Sequence, residues 1–132
     1  VDAENSGAID MREYIYNMPT VMAAADVIIS RAGASSCNEI AAGGTPCILI
    51  PSPNVTDNHQ EKNARALSDN GAAALVLEKE YTAKRLMDEI NGLLSDKDRY
   101  EKMHMALQKI SVPDCADRLC DIMEELIKAN KE

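Results

Sequence analysis

The chain has 132 residues, 45% of them apolar, enough for one ordinary domain; with no Trp or Phe, its core must be built from Ala, Ile, Leu, Val and Met. Its 22 acidic against 14 basic side chains give a formal charge of −8, which excludes the basic stripe that a nucleic-acid binder needs. No apolar run approaches the ~20 residues of a membrane span, and no charged-then-apolar leader opens the sequence, so a cytoplasmic protein is expected.

Residues 1–8 are polar and read as a frayed end, and a start at Val1 without Met suggests part of a longer protein. Short apolar runs at 14–16, 27–30, 47–50 and 73–77 predict strands, and the stretches between them read as helices. The resulting βαβαβαβ pattern predicts an α/β fold with a parallel sheet over about 12–78. Pro19 marks the first turn of a helix through Ala25, and Gly43-Gly44, followed by Pro46, ends a helix that begins near Ser36. A further helix runs from about Asn58 to Ser68, closed by Asn70-Gly71. Beyond it the pattern is purely helical over about 82–130: Leu86, Ile90, Leu93 and Leu94 share one face, and Tyr100, Met103, Leu107 and Ile110 another. Pro113 and Asp114 open a last amphipathic helix with Leu119, Ile122, Met123, Leu126 and Ile127 in one stripe. Cys37, Cys47, Cys115 and Cys120 form no CxxC pair, and with only two His they predict reduced core thiols and no metal site.

The most informative stretch is VIISRAGASSCNEI, residues 27–40. A strand ends at Ser30-Arg31, Gly33 permits a tight turn, and a helix opens near Ser35-Ser36 with its free N–H groups at the strand's C-terminal edge. A pyrophosphate fits such a place. Glu39, one turn further, has two readings: a carboxylate for the ribose hydroxyls, or the fourth residue of a Ser36-x-x-Glu39 capping box. His59, Gln60 and Asn63 stand at the next helix start, where they can meet sugar hydroxyls, although Gln60 three residues after Asp57 also fits a helix cap. Arg31 is placed to touch a phosphate or to brace the turn. His104 reads as a surface residue and Arg65 as structural. No Ser-His-Asp or Cys-His signature is present, and His59 has no evident partner that would make it a general base.

In order, Tyr14-Ile15-x-x-Met18, Ala23-Ala24-Ala25-Asp26, Ser30-Arg31-Ala32-Gly33-Ala34 with Glu39-Ile40-Ala41-Ala42-Gly43, His59-Gln60-x-x-Asn63-Ala64 and Val112-Pro113-Asp114 resemble the MurG-type transferases. The resemblance runs from about Tyr14 to the C-terminus. It implies part of the C-terminal, Rossmann-like domain of a two-domain GT-B glycosyltransferase, without the N-terminal acceptor domain and its general base. It implies inverting transfer of N-acetylglucosamine from UDP-N-acetylglucosamine to undecaprenyl-pyrophosphoryl-N-acetylmuramyl-pentapeptide, with no metal or other cofactor, by an enzyme peripheral on the inner membrane face. By the same resemblance the backbone of Ile15 meets the uracil, Glu39 takes the ribose hydroxyls, and the turn at Gly33 with Ala34, Ser35 and Ser36 holds the pyrophosphate. Gln60, with His59 beside it, binds the sugar, and Met18, Arg31 and Asn63 complete the set. The family's first strands, a central one among them, are missing, so the strand near Tyr14 is expected to be displaced and the chain to repack or self-associate. Two other functions fit the same scaffold: a UDP-N-acetylglucosamine 2-epimerase-like enzyme, and a non-catalytic subunit of a split transferase.

Overall fold

Three short strands, β1 (Ile28–Ser30), β2 (Cys47–Leu49) and β3 (Ala74–Leu75), form an all-parallel sheet in that order in a computed structural model that describes residues 8–129. The frayed end expected at residues 1–7 and the last residue of the expected helical part, Asn130, lie outside the described residues. Register places Ile29 against Ile48 and Leu49 against Leu75. The ladder extends past the strands through Ile28 N–H to Pro46 O at 3.0 Å, Ile50 N–H to Ser30 O at 2.9 Å and Val76 N–H to Leu49 O at 3.0 Å.

Helix α1 (Met18–Ala24) leads into β1, α2 (Ala34–Gly43) crosses from β1 to β2, and α3 (His59–Ser68) crosses from β2 to β3. Then come α4 (Ala83–Ser95), α5 (Lys97–Ile110) and α6 (Cys115–Ala129). Because all strands run the same way, their C-terminal ends and the starts of α2 and α3 share one edge of the sheet. The central β2 is buried throughout, and Ile40, Ile48, Leu49, Val76, Leu93 and Leu107 close the core around it.

Local chemistry sets the helix ends. Pro19 sits in the first turn of α1, where its missing N–H costs nothing. Gly44, at φ 72°, ends α2 by donating its N–H to Ile40 O at 2.9 Å, in a left-handed conformation that suits glycine. Thr82 Oγ1 accepts from Arg85 N–H at 3.1 Å to open α4, and Asp96 Oδ1 accepts from Arg99 N–H at 3.0 Å to open α5. Thr45, the buried polar residue of the core, donates its hydroxyl to Met22 O at 3.0 Å and ties α1 to the turn after α2.

Four expectations need correction. Residues 14–16 form no strand: Tyr14 and Tyr16 are exposed, their rings meet edge to face at 4.7 Å, and no strand among the described residues pairs with them. The sheet therefore has three strands, with β1 at one edge and Ile29 46% exposed. Helix α2 begins at Ala34, two residues before the expected start, because Gly33 takes the N-cap position. Cys37 and Cys47 are buried, but Cys115 and Cys120 are exposed on α6, whose apolar stripe Leu119, Ile122, Met123, Leu126 and Ile127 no neighbouring element covers.

Candidate functional site

The start of α2 presents four backbone N–H groups, those of Gly33, Ala34, Ser35 and Ser36, that have no partner among the described residues. The first helical bond falls to Cys37, whose N–H reaches Gly33 O at 2.9 Å. No side chain caps this end. In most helices a Ser, Thr, Asn or Asp oxygen satisfies one of these donors; leaving all four open, at the positive end of the helix dipole, makes an anion-binding edge. Ser35 is exposed and Ser36 half-buried. Gly33 adopts φ −65° and ψ 148°, extended backbone open to any residue, so conformation does not require glycine there. Its value is the missing side chain beside the open amides.

The start of α2 also settles one of the two readings of Glu39. A capping box needs Ser36 at the N-cap, whereas Ser36 is the third residue of the helix. Glu39 is exposed, and its carboxylate has no partner among the described residues. About five residues beyond the helix start at ~1.5 Å per residue, it stands roughly 7–8 Å along the axis from Ala34. That leaves an open carboxylate one turn behind an open set of amides.

Helix α3 brings its residues to the same edge. Asn63 Nδ2 donates to Ala32 O at 3.1 Å, across the turn before α2. Gln60, one turn earlier on the same face, accepts from Ser52 N–H through Oε1 at 2.9 Å, so its amide NH2 remains the available end. The alternative cap from Asp57 does not form; Asn58 holds the N-cap position in a left-handed conformation, with no side-chain cap bond. His59 Nδ1 lies 2.8 Å from Thr56 O, and since a carbonyl only accepts, Nδ1 is the donor there and Nε2 has no partner among the described residues. Hydrogen bonds from Asn58 and then from Arg65 hold the Glu61 carboxyl below its usual range.

Three expected residues take other places. Arg31 donates through Nη1 to Ile50 O at 3.1 Å and pairs with Glu78, so its charge is matched along the strand ends. Ile15 is half-buried in a cleft with Asp10, Met11, Asn17 and Val21, and Met18 opens α1 beside it. The structure thus sets Gly33, Ala34, Ser35, Ser36 and Glu39 at the start of α2 and His59, Gln60 and Asn63 at that of α3, with Asn63 joining the two through Ala32, and gives Arg31, Ile15 and Met18 separate surroundings. Sequence reading missed Ser52 and Glu78, which hold Gln60 and Arg31. Both lie three residues beyond a strand end, Leu49 and Leu75, so comparing the stretches after parallel strands would have found them. It also misread His104, which is half-buried with Nδ1 at 2.7 Å from Gly44 O.

The arrangement suits binding an anion joined to a diol or sugar; the residues brought together are donors and acceptors rather than a nucleophile and its base. The profile of the glycosyltransferase family 28 C-terminal domain matches residues 2–119. UDP-N-acetylglucosamine--N-acetylmuramyl-(pentapeptide) pyrophosphoryl-undecaprenol N-acetylglucosamine transferase 1 of Bacillus cereus is 43% identical over 124 residues, 94% of this chain and 34% of that protein. The transferase of the same name, without the number, from Oenococcus oeni is 44% identical over 128 residues, 97% of this chain and 34% of that protein. The crystal structure of Acinetobacter baumannii MurG matches 89% of this chain and 33% of its own with a TM-score of 0.77 at 26% identity. The chain spans about a third of the length of the curated relatives it matches.

Proposed function

The chain belongs to the glycosyltransferase family 28 C-terminal domains, and from that premise we propose that it is the donor-binding part of a UDP-N-acetylglucosamine transferase acting on an undecaprenyl-pyrophosphoryl acceptor. The observation that carries this reading is the open N-terminus of α2, four amides and, one turn behind, the carboxylate of Glu39, none with a partner among the described residues. The amides of Gly33, Ala34, Ser35 and Ser36 take the pyrophosphate, and Glu39 takes the ribose hydroxyls. Gln60, whose NH2 has no partner among the described residues, and His59 meet the sugar. The names of the relatives support N-acetylglucosamine as that sugar.

In the proposed reaction an acceptor hydroxyl attacks the anomeric carbon as its bond to UDP breaks, with inversion. The acceptor's proton passes to a base in the remaining two-thirds of the enzyme, and UDP leaves against α2, whose amides stabilise the growing negative charge. No metal is needed for that step, because the donors are preorganised at the leaving group. No helix among the described residues is long and apolar enough to cross a membrane; the proposed reading places the intact enzyme peripherally on the inner membrane face. The uncovered stripe of α6 and the free edge of β1 favour cover by the rest of the enzyme or, without it, by a second copy.

Calorimetric titration of UDP-N-acetylglucosamine, UDP and ADP into the chain tests the reading. Saturable binding of the two uridine compounds in preference to ADP supports it, and equal or absent binding contradicts it.

A further inference from the structure

We infer that Asn63 is a positioning residue that aims the phosphate-binding amides of α2. The inference rests on the proposed donor site and deepens it. Only Arg31 and Ala32 separate the end of β1 from Gly33, so the direction of α2's first free N–H depends on the peptide plane between Ala32 and Gly33. That unit is planar and trans, and its C=O and N–H point opposite ways. Asn63 Nδ2 holds the Ala32 carbonyl at 3.1 Å, toward α3, and is the sole donor to that oxygen among the described residues. The Gly33 N–H is thereby turned away from α3, to the open side.

Both ends of this bond are fixed. Ala32 is fully buried, and the residue after Asn63, Ala64, is fully buried too, with Leu67 one turn on also in the core. Asn63 itself is half-buried, so its side chain works from a set position. Without the donor, the carbonyl of a buried residue loses its partner and the plane is free to rotate. Helix α3 thus steers the start of α2 from 31 residues away.

The test compares the wild-type chain with Asn63→Ala and Asn63→Asp, the second keeping the shape while removing the donor. In the ligand-free proteins, backbone amide resonances of Gly33, Ala34, Ser35 and Ser36 should move more than those elsewhere on α2. Titration should show UDP and UDP-N-acetylglucosamine weakened by the same factor, about three- to tenfold for Asn63→Ala, as expected for one net hydrogen bond. Melting curves identify a variant that has lost its fold, and the other then decides. Weakening confined to UDP-N-acetylglucosamine, with UDP unchanged, would make Asn63 a sugar ligand and overturn the inference. Unmoved resonances at residues 33–36 in a folded variant would overturn it as well. If the wild-type chain binds no UDP, the donor-site reading fails, while the ligand-free resonances still decide whether Asn63 positions the turn.

Discussion

His104 Nδ1 donates to the carbonyl oxygen of Gly44 at 2.7 Å, joining α5 to the end of α2 across 60 residues. Gln108 Nε2 lies 3.0 Å from the other ring nitrogen, one turn further along α5. A Cβ on Gly44 would lie 3.1 Å from the ring, at a φ of 72° that already disfavours any side chain. Gly44→Ala is expected to destabilise by at least about 1–2 kcal/mol from the left-handed backbone alone, and His104→Ala by about 1 kcal/mol. Urea denaturation checks both; an unchanged midpoint for Gly44→Ala would show that this contact is not made.

The cysteines divide into two reactivity classes. Burial, with a smaller contribution from neighbouring Cys37, pushes the Cys47 thiol up to about 12, and burial also raises Cys37. Cys115 and Cys120 are exposed. A thiol-specific reagent at neutral pH should modify two cysteines quickly and the other two only on unfolding. Since the folded value of Cys47 lies above the ordinary 9.0, the folded state holds its proton more tightly than the unfolded one. Stability from this group is full below pH 9 and declines as pH rises toward about 12. Four equally fast thiols would contradict the core as described.

Glu39 separates a ligand role from a helix cap. Its carboxylate caps nothing, so Glu39→Gln and Glu39→Ala should both melt close to wild type. Replacing a charged acceptor by a neutral one should weaken UDP binding roughly tenfold or more in Glu39→Gln. Thermal melts beside UDP titrations measure both. A clear melting loss in the Ala variant, with full UDP affinity in the Gln variant, would restore the capping role.

If, as proposed, backbone amides stabilise the leaving group in the complete enzyme, EDTA should leave transferase activity unchanged. Loss of activity on chelation, restored by a divalent ion, would assign that stabilisation to a metal.

Much of this was legible in the sequence because the signals are local. The runs at 27–30, 47–50 and 73–77 gave the three paired strands, Pro19 the start of α1, and Gly44 with Pro46 the end of α2. The uncapped helix start followed from a strand running into a helix at Gly33. The errors have physical causes. Tyr14, Ile15 and Tyr16 have strand propensity, but a strand exists only where another pairs with it. Ser36 looked like a cap because glycine, the actual N-cap, offers no side chain to recognise. The contacts of Asn63 with Ala32, and of His104 with Gly44, span 31 and 60 residues, and no local pattern reports them.

The central claim is that the start of α2, with Glu39 behind it, is where UDP sits. Titrating UDP into the isotopically labelled chain and following backbone amide resonances tests it most directly. The account predicts saturable changes largest at Gly33, Ala34, Ser35, Ser36 and Glu39, reproduced by UDP-N-acetylglucosamine with further changes at His59 and Gln60. Saturable changes centred elsewhere, or none at α2, would contradict it.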